Sequence, residues 1–165
     1  MIRLAALLAL LTAPLQAQTV AEAATANTVL GAKLCVLHFR TPDRKSTKFT
    51  QAGFAYESHR GSPNDITAVY GAPGGTAKVE LYQGQTAPDC QVLTDHVDAF
   101  TVSQQVAAML RRVYPGVFRI EATSDGCLSA TELGAPRPMI VAVGPDGPHS
   151  CRAQGPTRIS IFFAV

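Results

Sequence analysis

The sequence has 165 residues, with 14 Lys and Arg against 12 Asp and Glu and a net charge of +2 at pH 7. This length is typical of a single domain with one hydrophobic core. The near-neutral balance argues against nucleic acid as a partner, because phosphate binding requires a concentrated basic face.

The N-terminus has the pattern of a cleavable export signal. One positive charge, Arg3, precedes an apolar run over residues 4–13, and small residues follow up to Ala17. The run is well short of the roughly 20 residues that a helix needs to span a bilayer. We therefore predict a signal peptide over 1–17, whose removal leaves 13 basic against 12 acidic residues. Without a second long apolar stretch, we expect a soluble mature chain and no stable membrane insertion.

An even number of cysteines in an exported chain indicates disulfide bonds. Two bonds among the four cysteines allow three connectivities, and the sequence does not choose between them. No two cysteines are as closely spaced as zinc ligands usually are, so we expect no metal. The Ala-rich, Arg-preferring composition and the short signal suggest a bacterium and favour the periplasm over the external medium. The disulfide candidates are Cys35, Cys90, Cys127 and Cys151.

After the signal, the chain divides into a flexible segment over 18–28, or a short helix there, and one globular domain over 29–165. Apolar runs predict strands over 34–39 and, more weakly, over 49–57. Residues 66–70 and 77–82 flank a Pro-Gly-Gly loop and predict a hairpin, in which Val79 and Leu81 share one face. A further strand begins near Cys90.

One amphipathic helix is predicted near 101–114, because the apolar residues of this segment fall on one helical face. Thr101 and Gln104 have the spacing of a capping box, which would start the helix at Thr101. The apolar residues of this face are Val102, Val106, Met109, Leu110 and Val113.

A second hairpin is predicted from residues 117–123 and 127–133. If Asp125-Gly126 forms a two-residue type I′ turn, Arg119 lies opposite Glu132. Apolar strands are also predicted over 139–143 and from Ile159 to the C-terminus.

These elements predict an α+β fold, with mostly antiparallel strands and the 101–114 helix packed on a sheet. The alternative is a β-sandwich that carries one helix.

Few residues have the pattern of a chemical site. His59 lies in a polar stretch over 56–62, but neighbours on a strand point to opposite faces and do not form a ready catalytic pair. His96 and Asp98 could share a face as two metal ligands, and Asp98 equally fits a role at the helix start. There is no G-x-S-x-G elbow and no glycine loop that leads into a helix, so we expect no catalytic residue and no cofactor.

The densest positive stretch could contact anionic polymers or lipid head groups, although a solvated loop has the same composition. It contains Arg40, Arg44, Lys45 and Lys48.

The sequence favours a non-enzymatic binding or inhibitor module outside the cytoplasm, whose partner is another protein or a small ligand. One alternative is a small hydrolase whose site is assembled from distant residues, with His59 or His96 in a pocket. Another is a structural component of the envelope, which would expose an apolar patch.

Intact mass of the exported protein tests the signal and the disulfides together. We expect a chain that lacks residues 1–17, with no alkylated thiol before reduction and four after it. Four free thiols, or an uncut N-terminus, would contradict the assignment to an oxidising compartment.

Overall fold

The computed structural model describes residues 19–41, 47–60, 65–84, 89–148, 150–153 and 155–164. The predicted signal peptide lies outside these residues. The three α-helices are α1 Val20–Arg40, α2 Thr47–Gln51 and α3 Ala99–Val113. The strands are β1 Ala55–Arg60, β2 Asp65–Gly71, β3 Lys78–Gly84, β4 Asp89–Thr94, β5 Phe118–Ala122, β6 Leu128–Glu132, β7 Met139–Pro145 and β8 Thr157–Phe163.

In the described part of the chain, the eight strands form one antiparallel sheet in the order β1-β2-β3-β4-β8-β7-β6-β5. The chain therefore makes two four-stranded meanders, and the last strand of each pairs with the last strand of the other. Helices α1 and α2 precede the first meander, and α3 precedes the second. The predicted α+β class is confirmed, and the alternative of a β-sandwich is wrong because there is one sheet.

Both long helices lie on one face of the sheet and contact each other. Alternate residues of the two central strands are buried on this face, among them Cys90, Val92, Ile159 and Ile161. Helix α1 approaches the sheet closely at Gly31, where an added Cβ would lie 3.0 Å from a Val92 methyl group. A larger residue there would require the Val92 and Val79 side chains to shift by a few tenths of an ångström.

The strand predicted over 34–39 is wrong, because these residues belong to α1. The segment over 18–28 is predicted to be flexible or a short helix, and from Val20 onward it forms the first part of α1. The sequence signal that we missed is a capping box: Thr19 Oγ1 accepts a hydrogen bond from the backbone N–H of Glu22, and the Thr19 N–H donates to the Glu22 carboxylate. A short apolar run does not by itself distinguish a strand from a buried helix.

The weaker strand prediction over 49–57 is half correct. Residues 47–51 form α2, whose Phe49 is fully buried, and the strand β1 begins only at Ala55. The strands predicted over 66–70 and 139–143 and near Cys90 are confirmed, and so is the strand predicted over 77–82, which begins at Lys78. The strand predicted from Ile159 to the C-terminus is confirmed as far as Phe163, and Val165 lies outside the described residues.

Helix α3 begins two residues before the predicted start. Asp98, not Thr101, is its N-cap, and its carboxylate accepts from the Thr101 backbone N–H at 2.9 Å and from the Thr101 hydroxyl at 2.8 Å. Burial opposes ionisation of Asp98, but these hydrogen bonds outweigh it and hold its pKa below the usual value. The apolar face is as predicted, with Val102, Val106 and Leu110 buried against the sheet.

The second hairpin forms, but its predicted register is wrong by one residue. Phe118 lies opposite Glu132, so Arg119 faces Thr131 and points to the other side of the sheet from Glu132. The loop has three residues instead of two: the Gly126 N–H donates to the carbonyl of Thr123, and Gly126 has a φ of 91°. This geometry is a turn followed by a left-handed glycine, the usual three-residue hairpin loop.

Two disulfides connect the described cysteines. Cys35–Cys90 joins α1 to β4, and Cys127–Cys151 joins the β5–β6 loop to the segment before β8. All four half-cystines are fully buried. The bonds indicate a non-reducing, exported location.

Helix α1 is long and apolar enough to cross a bilayer by length and composition, with a mean hydropathy of 1.3. Core helices of globular domains pass the same test. Here the helix is bonded to β4 through Cys35 and buries residues along its length from Ala24 to Phe39. Its larger apolar side chains between Leu34 and Phe39 therefore contribute to the protein core.

Replacing the N-cap of α3 should destabilise the fold. We expect Asp98→Ala to lower the free energy of unfolding by about 1 kcal/mol at pH 7, since an orphan helix N–H loses its acceptor. The lowered pKa means that this stabilisation is complete above the usual pKa of 3.8 and is lost as the pH falls through the folded-state value. Urea unfolding at pH 7 and at lower pH measures both effects.

Asp98→Asn is the matched control, because Asn also caps helices well. It should lose less stability at pH 7 than the alanine variant. Equal losses in both variants would contradict a capping role for the side chain.

Candidate functional site

The face of the sheet opposite the helices is not covered by any helix of the described residues. On the central strands its side chains are half-buried and mostly polar, in contrast to the buried apolar residues that alternate with them. On β3 and β4 these side chains are Lys78, Glu80, Tyr82, Asp89, Gln91 and Leu93.

Two depressions lie along this part of the face. One, of about 250 Å³, is lined by Glu57, Gly75, Ala77, Lys78, Leu93, Thr94 and Asp95. The other, of about 200 Å³, is lined by Glu80, Tyr82, Asp89 and Gln91.

The register of β3 and β4 places the two depressions next to each other. Lys78 lies opposite Leu93, Glu80 opposite Gln91, and Tyr82 opposite Asp89 on successive steps of the same strand pair. From Lys78 to Tyr82 this spans about 13 Å at the usual rise per residue of a strand. We call the two depressions together the β3–β4 groove.

Acidic side chains predominate in the β3–β4 groove. Glu57 and Asp95 line one end, while Glu80 and Asp89 line the other. The lysine that lines it, Lys78, is paired with Glu80 at 3.4 Å. The groove therefore has a net negative charge.

Asp89 is a half-buried carboxyl group of the groove. Burial raises its pKa, and this effect outweighs the hydrogen bond from Gln91 Nε2, at 3.3 Å, and the attraction of Arg158. Arg158 is also paired with Asp146 at 2.7 Å. A cation placed beside Asp89 would favour its ionised form.

Glu57 closes one end of the groove by lying against a glycine. An ideal Cβ at Gly71 would overlap the Glu57 carboxylate, with 2.0 Å to its Oε1. The strands β1 and β2 have a register shift between Tyr56 and Ser58, next to Glu57. The absence of a side chain at Gly71 thus gives the carboxylate its place on the uncovered face.

Among the side chains that the structure describes, the predicted candidates do not form one site. Asp98 caps α3. His96 is exposed in the preceding bend, where its backbone N–H donates to Thr94 Oγ1 at 3.3 Å. His59 pairs with Ala68 through the backbone of β1, and its side chain lies outside the described part of the structure.

The hydrolase hypothesis needs a histidine within a cluster of polar groups. His38 is buried near the end of α1, in ring contact with Phe39 and Phe49. The end of α1 meets the end of α3, where Arg40 lies over the Tyr114 ring, whereas His96 precedes the start of α3. His38 and His96 are thus separated by roughly the length of α3, about 22 Å.

Within the described residues, no three His, Cys, Asp or Glu side chains are grouped as a metal site. All four cysteines form disulfides and offer no thiol for catalysis.

Comparisons of this chain with protein-family models, with curated proteins and with solved structures find no match. The fold and the groove define an α+β protein of two layers, in which one face of the sheet is not covered by any of the described helices.

One local pattern in the sequence points to the groove. Lys78 and Glu80 alternate with Val79 and Leu81, which predicts a polar face of β3. The involvement of β4 could not be predicted, because nothing in the sequence showed that Asp89 and Gln91 lie on the same face beside them.

Removing the charge of Asp89 should stabilise the protein. Because the pKa of Asp89 is raised in the folded state, its ionised form disfavours folding as the pH rises above the usual value of 3.8. We expect Asp89→Asn to unfold at a higher urea concentration than the wild type at pH 7, and the gain to disappear below the usual Asp pKa.

Asp95→Asn is the matched control, since it removes one exposed carboxylate from the same groove. It should change the urea midpoint less than Asp89→Asn. An equal gain in both variants would show that net charge, and not the burial of Asp89, causes the effect.

Proposed function

We propose that this chain is an exported, non-enzymatic binding module, located in the periplasm, that holds a segment of another protein in the β3–β4 groove. The groove itself is the observation that carries the proposal. It is concave, lies on a sheet face that no described helix covers, and combines polar groups with the apolar side chain of Leu93.

The charge of the groove favours a partner that carries Lys or Arg. Glu80 and Asp89 lie on neighbouring strands at one depression, and Glu57 and Asp95 flank the other. An extended segment with Lys or Arg residues would place its charged groups beside these carboxylates. The methylene chains of the same side chains would lie along Leu93 and Tyr82.

A rigid frame supports a binding function. The strands of the groove are held by ladder hydrogen bonds, and β4 is also bonded to α1 through Cys90. A surface fixed in this way loses little conformational entropy when a partner binds.

Photo-crosslinking in the producing cell tests this function. A photoreactive amino acid replaces Gln91 in the groove or, as a control, the exposed Gln105 on the outer side of α3. We expect position 91 to capture one protein through a segment that contains Lys or Arg, and position 105 not to capture it.

Affinity for the captured protein can then be measured with charge-reversed variants. Glu80→Lys should weaken binding about tenfold or more, which corresponds to about 1.4 kcal/mol. Glu121→Lys is the matched control, with the same charge change at an exposed site on the edge strand β5. A partner that is captured only from position 105, or that binds Glu80→Lys normally, would contradict the proposal.

A further inference from the structure

The C-terminal ends of α1 and α3 meet at one end of the molecule. The guanidinium group of Arg40, the last residue of α1, lies 5.5 Å from the ring centroid of Tyr114, the C-cap of α3. Lys48 of α2 donates a hydrogen bond to the Thr41 hydroxyl, immediately after α1. Arg111 and Arg112 are exposed in the last turn of α3.

The β6–β7 loop lies at the same end. The Leu133 N–H donates to the Val117 carbonyl at 2.8 Å, just after α3, and Arg40 forms an ion pair with Glu132. Arg137, in this loop, is exposed. We define the basic end of the molecule by these cations: Arg40, Lys48, Arg111, Arg112 and Arg137.

The basic end has an excess of positive charge on the helix layer. Glu132 is the acidic residue in the described segments that form the basic end, and its carboxylate is already paired with Arg40. Asp89 lies toward the same end of the strands but on the uncovered face of the sheet. Neither α2 nor α3 contains an acidic residue.

An exposed apolar side chain accompanies these cations. Leu133 is 50% exposed, and Val20 and Tyr56 are the other large apolar residues with comparable exposure among the described residues. Favourable interaction with the helix dipole explains why Arg111 and Arg112 lie in the last turn of α3. Leu133 and Arg137 lie in the adjacent loop, where they add an apolar side chain and a further cation to the same end.

We propose that the basic end docks on the surface of an anionic phospholipid membrane, with Leu133 entering the head-group region. Phosphate groups attract nearby Lys and Arg side chains, and an apolar residue among them adds contact with the lipid. Each cation near an anionic membrane surface changes the partition constant by about fivefold. The attachment is peripheral, because α1 is packed in the core and held by Cys35–Cys90. This inference does not depend on the β3–β4 groove.

Co-sedimentation with lipid vesicles tests the proposal, using the oxidised mature protein. We expect binding to vesicles of phosphatidylglycerol and phosphatidylcholine in equal parts, little binding to phosphatidylcholine alone, and loss of binding as salt increases. The double variant Arg111→Gln/Arg112→Gln should lower the partition constant by roughly 25-fold. Leu133→Ser should also weaken binding, with the salt dependence retained.

Lys33→Gln/Arg152→Gln is the matched control. It removes two charges as well, one from the middle of α1 and one beside Phe100 near the start of α3. Circular dichroism checks that each variant is folded, and Arg137→Gln, in a loop, is a second test if the helix variant is unstable.

Three results with the vesicles would overturn the proposal. They are equal binding to both kinds of vesicle, an equal loss of binding in the control variant, and no binding to the anionic vesicles at low salt. Equally tight, salt-dependent binding to heparin and to the vesicles would also overturn it, since it would show a general affinity for polyanions.

Discussion

The pairing of β4 with β8 joins the two meanders, and the helix layer packs over this pair. On the helix side, Cys90 lies opposite Ile161 and Val92 opposite Ile159, and all four side chains are fully buried. Helix α1 fits closely there because Gly31 has no side chain to keep it away from the Val92 methyl groups. The Cys35–Cys90 bond restricts the unfolded chain and keeps this helix tied to its strand.

One consequence of this arrangement is that the two faces of the sheet differ in chemistry. The helices cover one face, so the residues on that face are apolar. The residues on the other face are exposed to solvent, and the two kinds of residue alternate along each strand. The row that crosses the central strands on the uncovered face contains Glu80, Gln91 and Ser160. A polar row at the centre of a sheet needs either water or a partner, which is why this face, rather than a loop, provides the candidate site.

The strands could be predicted from the sequence because their alternation is local. Val79 with Leu81, and Ile159 with Ile161, show a period of two within a few residues. Helix α1 could not be recognised in the same way, since the residues that it buries include Ala24, Thr28 and Gly31, which are small or polar and form no visible apolar stripe. Its capping box was the better signal.

The groove was beyond prediction for a different reason. It depends on the pairing of β3 with β4 and on which face the helices cover, and neither property is encoded locally. A single residue with a left-handed backbone conformation shows how strongly the register of a strand pair depends on the length of its loop. Gly126 lengthens one hairpin loop from two residues to three and thereby moves Arg119 to the opposite face from Glu132.

The groove and the basic end are distinct surfaces, and their charges have opposite signs. An anionic membrane attracts Arg111 and Arg112 on the helix layer but repels Glu80 and Asp89 on the uncovered face. Electrostatics would therefore turn the helix ends toward the lipid and keep the sheet face away from it. The β3–β4 groove would then stay open to a basic partner while the protein is attached, and the same charge separation would serve both attachment and recognition.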